Sequence, residues 1–361
     1  MTDHPEQSET VRPVRSGVLG LAAEFSDPLW RVPVRLAPVE VELLRSEPVR
    51  RLHFVAHAGA SSLCTLQSYS RLEHSLGVLS LVAHFRPRDE LLRVAALVHD
   101  IGHLPLSHTF EGVGGLEHHA LGAELLRAEP LRGLLERHGI DPEAVVAVLD
   151  GEPVTPLTGR PGLMNLDHLD SFVRSGRAAG RFDADPAVLL ARLRLAGEAG
   201  EAVSADRESA GVLVGLVAGE ARLHTSWENV GPVSVVRRLA ERLLDRTPLT
   251  PAGLARLTDA QFWTALDACP ATGAEGRLVR YQAHRLAVRT GGAAGDEDEW
   301  GHALRKIYVS APLVDGEPVG TAAPDLAAEL ARLRRLPTEF RIRWQDGPPP
   351  GDRARRPGAG G

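Results

Sequence analysis

The sequence predicts a mostly α-helical protein with a small β ribbon near the C-terminus, and two observations support this fold class. Apolar residues recur at helical spacing through most of the 361 residues, which places them on one face of each helix. Alternation typical of strands is confined mainly to residues 306–314 and 338–344, on either side of a predicted helix at 324–336. We therefore expect a helical body with one small ribbon beside it.

Each predicted helix is a run of apolar residues at helical spacing between polar or turn-forming residues. These helices span 39–49, 71–85, 89–100, 118–128, 131–138, 142–149 and 165–174, with several more between 186 and 244. Both chain ends are rich in polar residues, or in Pro, Gly and Arg. We divide the chain into a flexible tail at 1–15, a catalytic core at 16–180, a C-terminal helical region with the ribbon, packed on that core, at 181–346, and a flexible tail at 347–361.

Charge and cysteine content narrow the functional classes. The chain has 41 Lys and Arg against 47 Asp and Glu, giving a net charge of −6, which disfavours a broad nucleic-acid groove but leaves small anionic ligands open. Cys64 and Cys269 lie far apart and fit buried reduced thiols. No targeting or membrane segment is visible. We therefore expect a cytoplasmic protein that does not act on membranes or nucleic acid.

Histidine is concentrated between residues 71 and 124. The helix that begins at Leu91, which we extend to His103, is apolar almost all the way round and is expected to be buried. A buried carboxylate at Asp100 is costly unless it is paired or bound to a metal. His99 and His103 lie four residues apart and share one face of this helix. Such a cluster indicates a metal centre, although a single histidine on an apolar helix is more often a hydrogen-bonded core residue.

Three motifs favour a metal centre over hydrogen-bonded core histidines. They are R-x-x-H-S-x-G at 71–77, H-D-I-G-H-x-P-x-S-H at 99–108 and D-x-x-D-x-x-x-R at 167–174. Together they resemble the HD-domain phosphohydrolases, and more narrowly the deoxynucleoside triphosphate triphosphohydrolase branch. The resemblance covers most of residues 30–250. It implies a helical HD-domain core, with additional helices towards the C-terminus.

The resemblance also implies roles for individual residues. The expected ligands of a divalent metal ion are His74, His99, Asp100 and Asp167. This ligand set suits Mn, Fe, Co, Ni, Zn or Mg and does not choose among them. The metal would polarise a phosphoryl oxygen and lower the pKa of a bound water, so that metal-bound hydroxide attacks phosphorus. The expected catalytic residues, which line the phosphate path and transfer protons, are His103, His108, Glu111 and His118.

The expected substrate contacts show where this chain departs from the pattern. The resemblance expects a Lys or Arg after the last metal aspartate and a Tyr three residues further on, whereas this chain has His168 and Ser171. Positions expected to bind a sugar hydroxyl hold His57 and Ser175. The remaining expected contacts are Arg71, as a phosphate anchor, and Arg174. Because the sole lysine, Lys306, lies far along the chain, we expect phosphate to be held by arginine, histidine and metal.

The sequence thus predicts a metal-dependent phosphohydrolase that acts on a small phosphate ester of the nucleotide kind, in a homo-oligomer. Triphosphate removal is favoured, and monophosphate removal stays open because two phosphate contacts are changed. A second hypothesis uses the extra histidines as ligands of a second metal, giving a phosphodiesterase or, with two irons, an oxygenase. A third is a catalytically silent nucleotide-sensing module, against which the complete set of metal ligands argues.

Overall fold

The computed structural model describes residues 11–291 and 298–347, and this part of the chain is mainly helical, which confirms the predicted class. The predicted tails lie outside the described residues, apart from 11–15 and 347. Within those limits, no helix combines the length and apolar character needed to cross a bilayer. The helices, joined in places by short 3-10 turns, are α1 Pro38–Arg45, α2 Glu47–Arg51, α3 Arg71–Phe85, α4 Glu90–Val98, α5 His118–Arg127, α6 Leu131–Arg137, α7 Pro142–Leu149, α8 Leu166–Ala178, α9 Pro186–Ala191, α10 Arg207–His224, α11 Trp227–Arg246, α12 Pro251–Ala255, α13 Asp259–Ala268, α14 Gly273–Tyr281, α15 Val319–Ala322 and α16 Pro324–Leu333.

Three small sheets accompany the helices. Their strands are β1 Glu24–Ser26, β2 Pro33–Arg35, β3 Leu193–Ala196, β4 Ala202–Ala205, β5 Leu286–Thr290, β6 Trp300–Ala303, β7 Leu313–Val314 and β8 Glu339–Trp344. β1 pairs with β2 in antiparallel fashion, the second sheet has the order β3-β4-β7, and the third has the order β5-β8-β6. In the second sheet β4 runs antiparallel to β3 and parallel to β7.

The ribbon near the C-terminus exists, but the predicted partners are wrong. The run at 338–344 becomes β8, which lies between β5 and β6 in antiparallel register. Of the run at 306–314, only Leu313–Val314 forms a strand, and it pairs with β4. The reason is packing at long range, because β8 turns Phe340, Ile342 and Trp344 into a core built by other helices.

Apolar side chains form two cores. The first contains Leu76 of α3, Leu97 of α4, Phe172 of α8 and Leu213 of α10. The second contains side chains of α11 and α13, those of β8, and the segment 104–116. The chain therefore passes from the first core to the second between Ile101 and Leu104, where the third to sixth residues of the H-D-I-G-H-x-P-x-S-H motif lie.

α3 begins and ends as predicted, whereas α4 is shorter than predicted. Ser70 caps α3 because its hydroxyl accepts from the Glu73 backbone N–H at 3.2 Å and its own N–H donates to the Glu73 carboxylate at 2.8 Å. α4 ends at Val98, so its predicted continuation to His103 is wrong. Residues 99–103 instead form two tight turns, in which the His103 N–H donates to the Asp100 carbonyl at 2.9 Å.

Candidate metal and phosphate site

Of the four side chains predicted to hold a metal, His74, His99 and Asp167 bring their ligand atoms within 4.8 Å of one another, and Asp100 lies beside them. His74 comes from α3, His99 and Asp100 from the turns after α4, and Asp167 from the first turn of α8. His74 Nε2 lies 3.0 Å from Asp167 Oδ1 and 3.3 Å from His99 Nε2, and His99 Nε2 lies 3.4 Å from Asp100 Oδ1. Ligand atoms bound to one ion at about 2.1 Å lie about 3 Å apart, so this spacing fits a first-row divalent metal.

The two imidazoles are oriented for metal binding. His74 Nδ1 donates to the Asp170 carboxylate at 2.7 Å, and His99 Nδ1 donates to the Ala96 carbonyl at 2.8 Å. Because both partners can only accept, each ring presents a bare Nε2 to the other ring and to Asp167. Burial alone would lower the pKa of His74, but its contacts with Asp167 and Asp170 outweigh burial and raise the pKa to about 9, so without a metal a proton on Nε2 takes the place of the cation. The donor set therefore fits a bound metal cation.

Asp170 is the centre of a buried network that supports His74. Its carboxylate accepts from Trp30 Nε1 at 2.6 Å and from two nitrogens of Arg174 at 2.8 and 2.9 Å. Arg174 donates in addition to Asp27 at 3.0 Å. The sequence analysis missed Trp30 and Asp27, which lie far upstream in the chain. The guanidinium of Arg174 is thus bound to two carboxylates. We propose that it positions Asp170 and does not contact substrate as predicted.

Two glycines of the motifs allow elements to approach closely at the site. A Cβ at Gly77 would lie 2.0 Å from Asp170 Oδ1, so glycine lets α3 and α8 come together where Asp170 meets His74. A Cβ at Gly102 would lie 2.0 Å from the His118 carbonyl oxygen and 2.4 Å from the Gly122 nitrogen. Glycine at this position therefore brings the start of α5, with His118, against the turns that carry Asp100.

The predicted catalytic residues form a second cluster beside the first. The rings of His103 and His118 stack with centroids 4.2 Å apart, and His118 Nδ1 lies 2.8 Å from the Glu111 carboxylate. The edge of His108 meets both rings, and its Nδ1 lies 3.7 Å from the same carboxylate. Ligand atoms of the three histidines all lie within 4.8 Å of one another. These three rings can therefore act on one group.

Asp100 joins the two clusters, and Arg71 is paired with it. One oxygen of Asp100 lies 3.0 Å from His103 Nε2, and the other accepts from Arg71 at 2.9 Å. Arg71 is buried and also donates through Nε to the Ser107 hydroxyl at 3.0 Å. Ser107 and the residue before it, Leu106, have left-handed backbone (φ 59° and 52°), which turns the chain towards Arg71. Arg71 thus places its positive charge between the metal ligands and the histidine cluster.

Burial and neighbouring charges fix the protonation of the second cluster. Burial and the positive charge of Arg71 hold the pKa of His103 well below 6.5. Burial lowers the pKa of His108 to about 4, although contact with Glu111 opposes this. Burial alone would raise the pKa of Glu111, but His108 and His118 outweigh it and the pKa lies well below its usual value. At neutral pH His103 and His108 are therefore neutral and Glu111 is ionised.

The residues predicted at the sugar side are joined by a tyrosine. The hydroxyl of Tyr69 lies 3.0 Å from His57 Nδ1 and 2.7 Å from the Ser175 hydroxyl. The ring of His57 stacks on Tyr69 at 4.8 Å and meets His74 edge-on at 4.7 Å. Ser171 is half-buried one turn ahead of Ser175 on α8. Tyr69 was missed because it carries no motif of its own, although it lies two residues before Arg71.

The segment 304–311, named here the strap, passes beside the site. Ser310 meets His168 Nδ1 at 3.0 Å, and the ring of Tyr308 lies 6.1 Å from that of His108 and 6.4 Å from that of His168. Lys306 Nζ lies 4.8 Å from the centre of the Tyr308 ring. Lys306 is thus far from the motifs in sequence but near the site in space, because the fold returns residues 304–311 to α8.

Comparisons with known proteins show which proteins this chain resembles. Residues 71–151 match the family model of the HD domain. The metal-dependent phosphohydrolase cns2 of Cordyceps militaris is 29% identical over 250 residues, which are 63% of this chain and 68% of that protein. The deoxynucleoside triphosphate triphosphohydrolase SAMHD1 of Mus musculus is 23% identical over 225 residues, which are 51% of this chain and 34% of that protein.

Solved structures show the same fold over most of the chain. A hypothetical protein from Aquifex aeolicus aligns with a TM-score of 0.67 at 20% identity, covering 90% of this chain and 96% of that chain. A phosphohydrolase from Bacteroides thetaiotaomicron aligns with a TM-score of 0.62 at 15% identity, covering 89% and 99%. Residues 71–151 are thus identified as an HD domain, and the chain is similar to proteins named as metal-dependent phosphohydrolases.

Proposed function

We propose that the protein hydrolyses a phosphate ester of a nucleotide or a nucleotide-like molecule. The observation that carries the proposal is the contact between the two clusters. The four predicted metal ligands lie directly beside a histidine cluster; Asp100 contacts His103 of that cluster, and Arg71 is paired with Asp100. A metal site that holds an anion needs such neighbours, because the phosphoryl oxygens must be neutralised and protons must be moved within the same small volume.

Each residue has a definite task in this proposal. A divalent metal held by His74, His99, Asp100 and Asp167 supplies Lewis acidity and lowers the pKa of a coordinated water. Neutral His103 and His108 accept or donate protons on the phosphate side. Ionised Glu111 orients His118 through the 2.8 Å contact at Nδ1 and leaves the other ring nitrogen for the leaving oxygen.

Deoxynucleoside triphosphates are the first substrates to test. Relatives from mouse and Dictyostelium discoideum are named as deoxynucleoside triphosphate triphosphohydrolases. The groups available at the sugar side are the ring of His57 and the hydroxyls of Tyr69 and Ser175. Product analysis separates the two cleavage modes, because triphosphate removal releases tripolyphosphate and monophosphate removal releases orthophosphate.

The proposal is tested with a panel of nucleoside mono-, di- and triphosphates, each with Mn, Fe, Co, Ni, Zn and Mg. We expect His108→Ala and Asp167→Ala to lower turnover of the best substrate by about 100-fold or more. Matched controls are His284→Ala and Asp183→Ala, which alter exposed residues away from the site. Full turnover by either site variant would refute the mechanism. Binding without hydrolysis under every metal would favour a sensing module instead.

A second candidate is a two-metal enzyme, either a phosphodiesterase or a di-iron oxygenase. The specific observation in its favour is that ligand atoms of His103, His108 and His118 lie close enough together to hold an ion of their own. Metal analysis of protein purified without added metal distinguishes the candidates. One equivalent per chain supports the one-metal proposal, and two equivalents support this alternative. We also propose a homo-oligomer, which light scattering coupled to size-exclusion chromatography checks.

A further inference from the structure

The strap presents an ammonium group and a phenol to the site. Both of its ends are fixed by backbone hydrogen bonds. At one end the Leu304 N–H donates to the Thr338 carbonyl at 2.8 Å; at the other, Ala311 donates to the Gly162 carbonyl at 2.9 Å and accepts from Met164 at 2.8 Å. Residues 162–164 lead directly into α8, which carries Asp167. The strap therefore has a defined position relative to the metal ligands.

Tyr308 lies among side chains of the site. Its ring lies 6.1 Å from that of His108, 6.4 Å from that of His168 and 5.9 Å from that of His224. Charges of the site also act on its hydroxyl. Burial raises the pKa of Tyr308, the positive charge of Arg71 lowers it, and the negative charge of Asp167 raises it further. Tyr308 thus faces the charges that surround the predicted phosphate path.

Lys306 completes this arrangement at the solvent side. It is exposed, and its ammonium lies over the Tyr308 ring at 4.8 Å, which is a cation–π contact. Among residues 11–291 and 298–347, no carboxylate forms an ion pair with Lys306, and no group forms a hydrogen bond with the Tyr308 hydroxyl. Neighbouring Arg305, by contrast, is paired with Glu117 at 3.0 Å. An unpaired ammonium and an unpaired hydroxyl at the edge of an anion site are donors without an acceptor.

We propose that Lys306 and Tyr308 bind the distal phosphates of a polyphosphate substrate, so that the strap selects di- or triphosphates over monophosphate esters. The phosphate closest to the reacting centre would lie at the metal site, beside the positive charge that Arg71 places next to Asp100. The ammonium of Lys306 lies further out and, on its flexible stem, reaches the next phosphates as a point charge. This inference rests on the proposed function, since it names the substrate class of the same site.

Binding experiments test the inference without turnover. Calorimetry with Mn-loaded protein compares inorganic tripolyphosphate with orthophosphate for wild type, Lys306→Ala and Tyr308→Phe. The charge-matched control is Arg334→Ala, at an exposed arginine directly after α16. We expect Lys306→Ala to weaken tripolyphosphate binding about tenfold or more and orthophosphate binding less than twofold. Lys306→Arg keeps the charge and is expected to restore part of the affinity.

Several outcomes would overturn the inference. Failure of wild type to bind tripolyphosphate, equal effects of Lys306→Ala and Arg334→Ala, or equal losses for tripolyphosphate and orthophosphate each contradict it. Kinetics supply a second readout, in which Lys306→Ala raises KM for a triphosphate and leaves kcat within about twofold. If no phosphate ester is hydrolysed by wild type, the proposed function fails while the binding comparison still decides the role of Lys306. If turnover is normal and KM is unchanged in Lys306→Ala, only the present inference fails.

Discussion

Replacing Asp170 with asparagine tests how the metal ligands are held in place. The carboxylate is fully buried and accepts hydrogen bonds from His74, Trp30 and Arg174. The substitution keeps the shape of the side chain, but it removes the charge opposite Arg174 and turns one acceptor into a donor. His74 Nδ1 then loses its anionic partner, and the ring is no longer fixed with Nε2 towards Asp167.

The magnitude follows from the buried charges. Burial raises the pKa of Asp170, but Arg174 and His74 outweigh it and lower the pKa from 3.8 to about 2, which corresponds to about 2 kcal/mol of stabilisation. Because the unfolded chain takes up its proton at the higher pH, this stabilisation is present above about pH 4 and lost as the pH falls through 2. Removing one partner of a buried ion pair costs about 3 to 5 kcal/mol. We therefore expect Asp170→Asn to lose about 3 kcal/mol of unfolding free energy at pH 7.

Urea unfolding in the presence of chelator measures the unfolding free energy of the metal-free protein, and calorimetry with Mn measures metal affinity. We expect the affinity of Asp170→Asn to fall about 10- to 100-fold, as for other partners of metal-bound histidines. Asp167→Asn is the matched comparison, because its side chain is 35% exposed and is expected to lose metal binding with a smaller loss of stability. Unchanged metal affinity in Asp170→Asn would refute the reasoning that Asp170 orients His74.

Three further predictions concern the surroundings of the site. Gly102→Ala places a methyl group 2.0 Å from the His118 carbonyl oxygen, so we expect α5 to shift and turnover to fall about 100-fold. Circular dichroism should show unchanged helicity, and normal turnover would refute this prediction. Asp259 accepts from the backbone N–H groups of Leu106 and Ala56 at 2.6 and 2.8 Å; Asp259→Ala leaves both without an acceptor, and urea unfolding should show a loss of about 2 kcal/mol or more. Burial and Arg237 lower the pKa of His302 from 6.5 to about 4, so unfolding free energy is lost as the pH falls from 6.5 through 4. In His302→Phe this pH-dependent loss should be smaller by about 3 kcal/mol, and an unchanged pH dependence would contradict the prediction.

The sequence was most informative where the signal is local. α3 and α7 have the bounds that their apolar spacing and polar ends predict. The clustering of His74, His99, Asp100 and Asp167 was expected from the resemblance of the motifs to a known family, because local spacing alone does not bring residues 74 and 167 together. Apolar spacing gave a wrong prediction at the C-terminal end of α4, which stops at Val98. Residues 99–103 keep a helical pattern of side chains, but close packing at Gly102 against α5 favours tight turns, and that contact joins distant parts of the chain.

Contacts between distant segments could not be predicted from local patterns. Trp30 and Asp27 support Asp170 across more than 100 residues, and a lone Trp or Asp in a loop resembles any other surface residue. Tyr69 and Lys306 were missed for the same reason, since each acquires its position only when the chain is folded. The pairing of β8 with β5 and β6 likewise depends on burial of Phe340, Ile342 and Trp344 against the second core rather than on strand propensity.

The strap, which we propose contacts the distal phosphates, is encoded apart from the predicted metal ligands. The metal-ligating side chains are encoded between residues 74 and 167, whereas the strap is encoded by residues 304–311, in a separate part of the chain that is joined to 162–164 through backbone hydrogen bonds. Insertions or substitutions within the strap leave the codons for the metal ligands untouched. Libraries randomised at 305–309 alone are therefore a compact starting point for altering ligand preference while the chemistry of the centre is inherited intact.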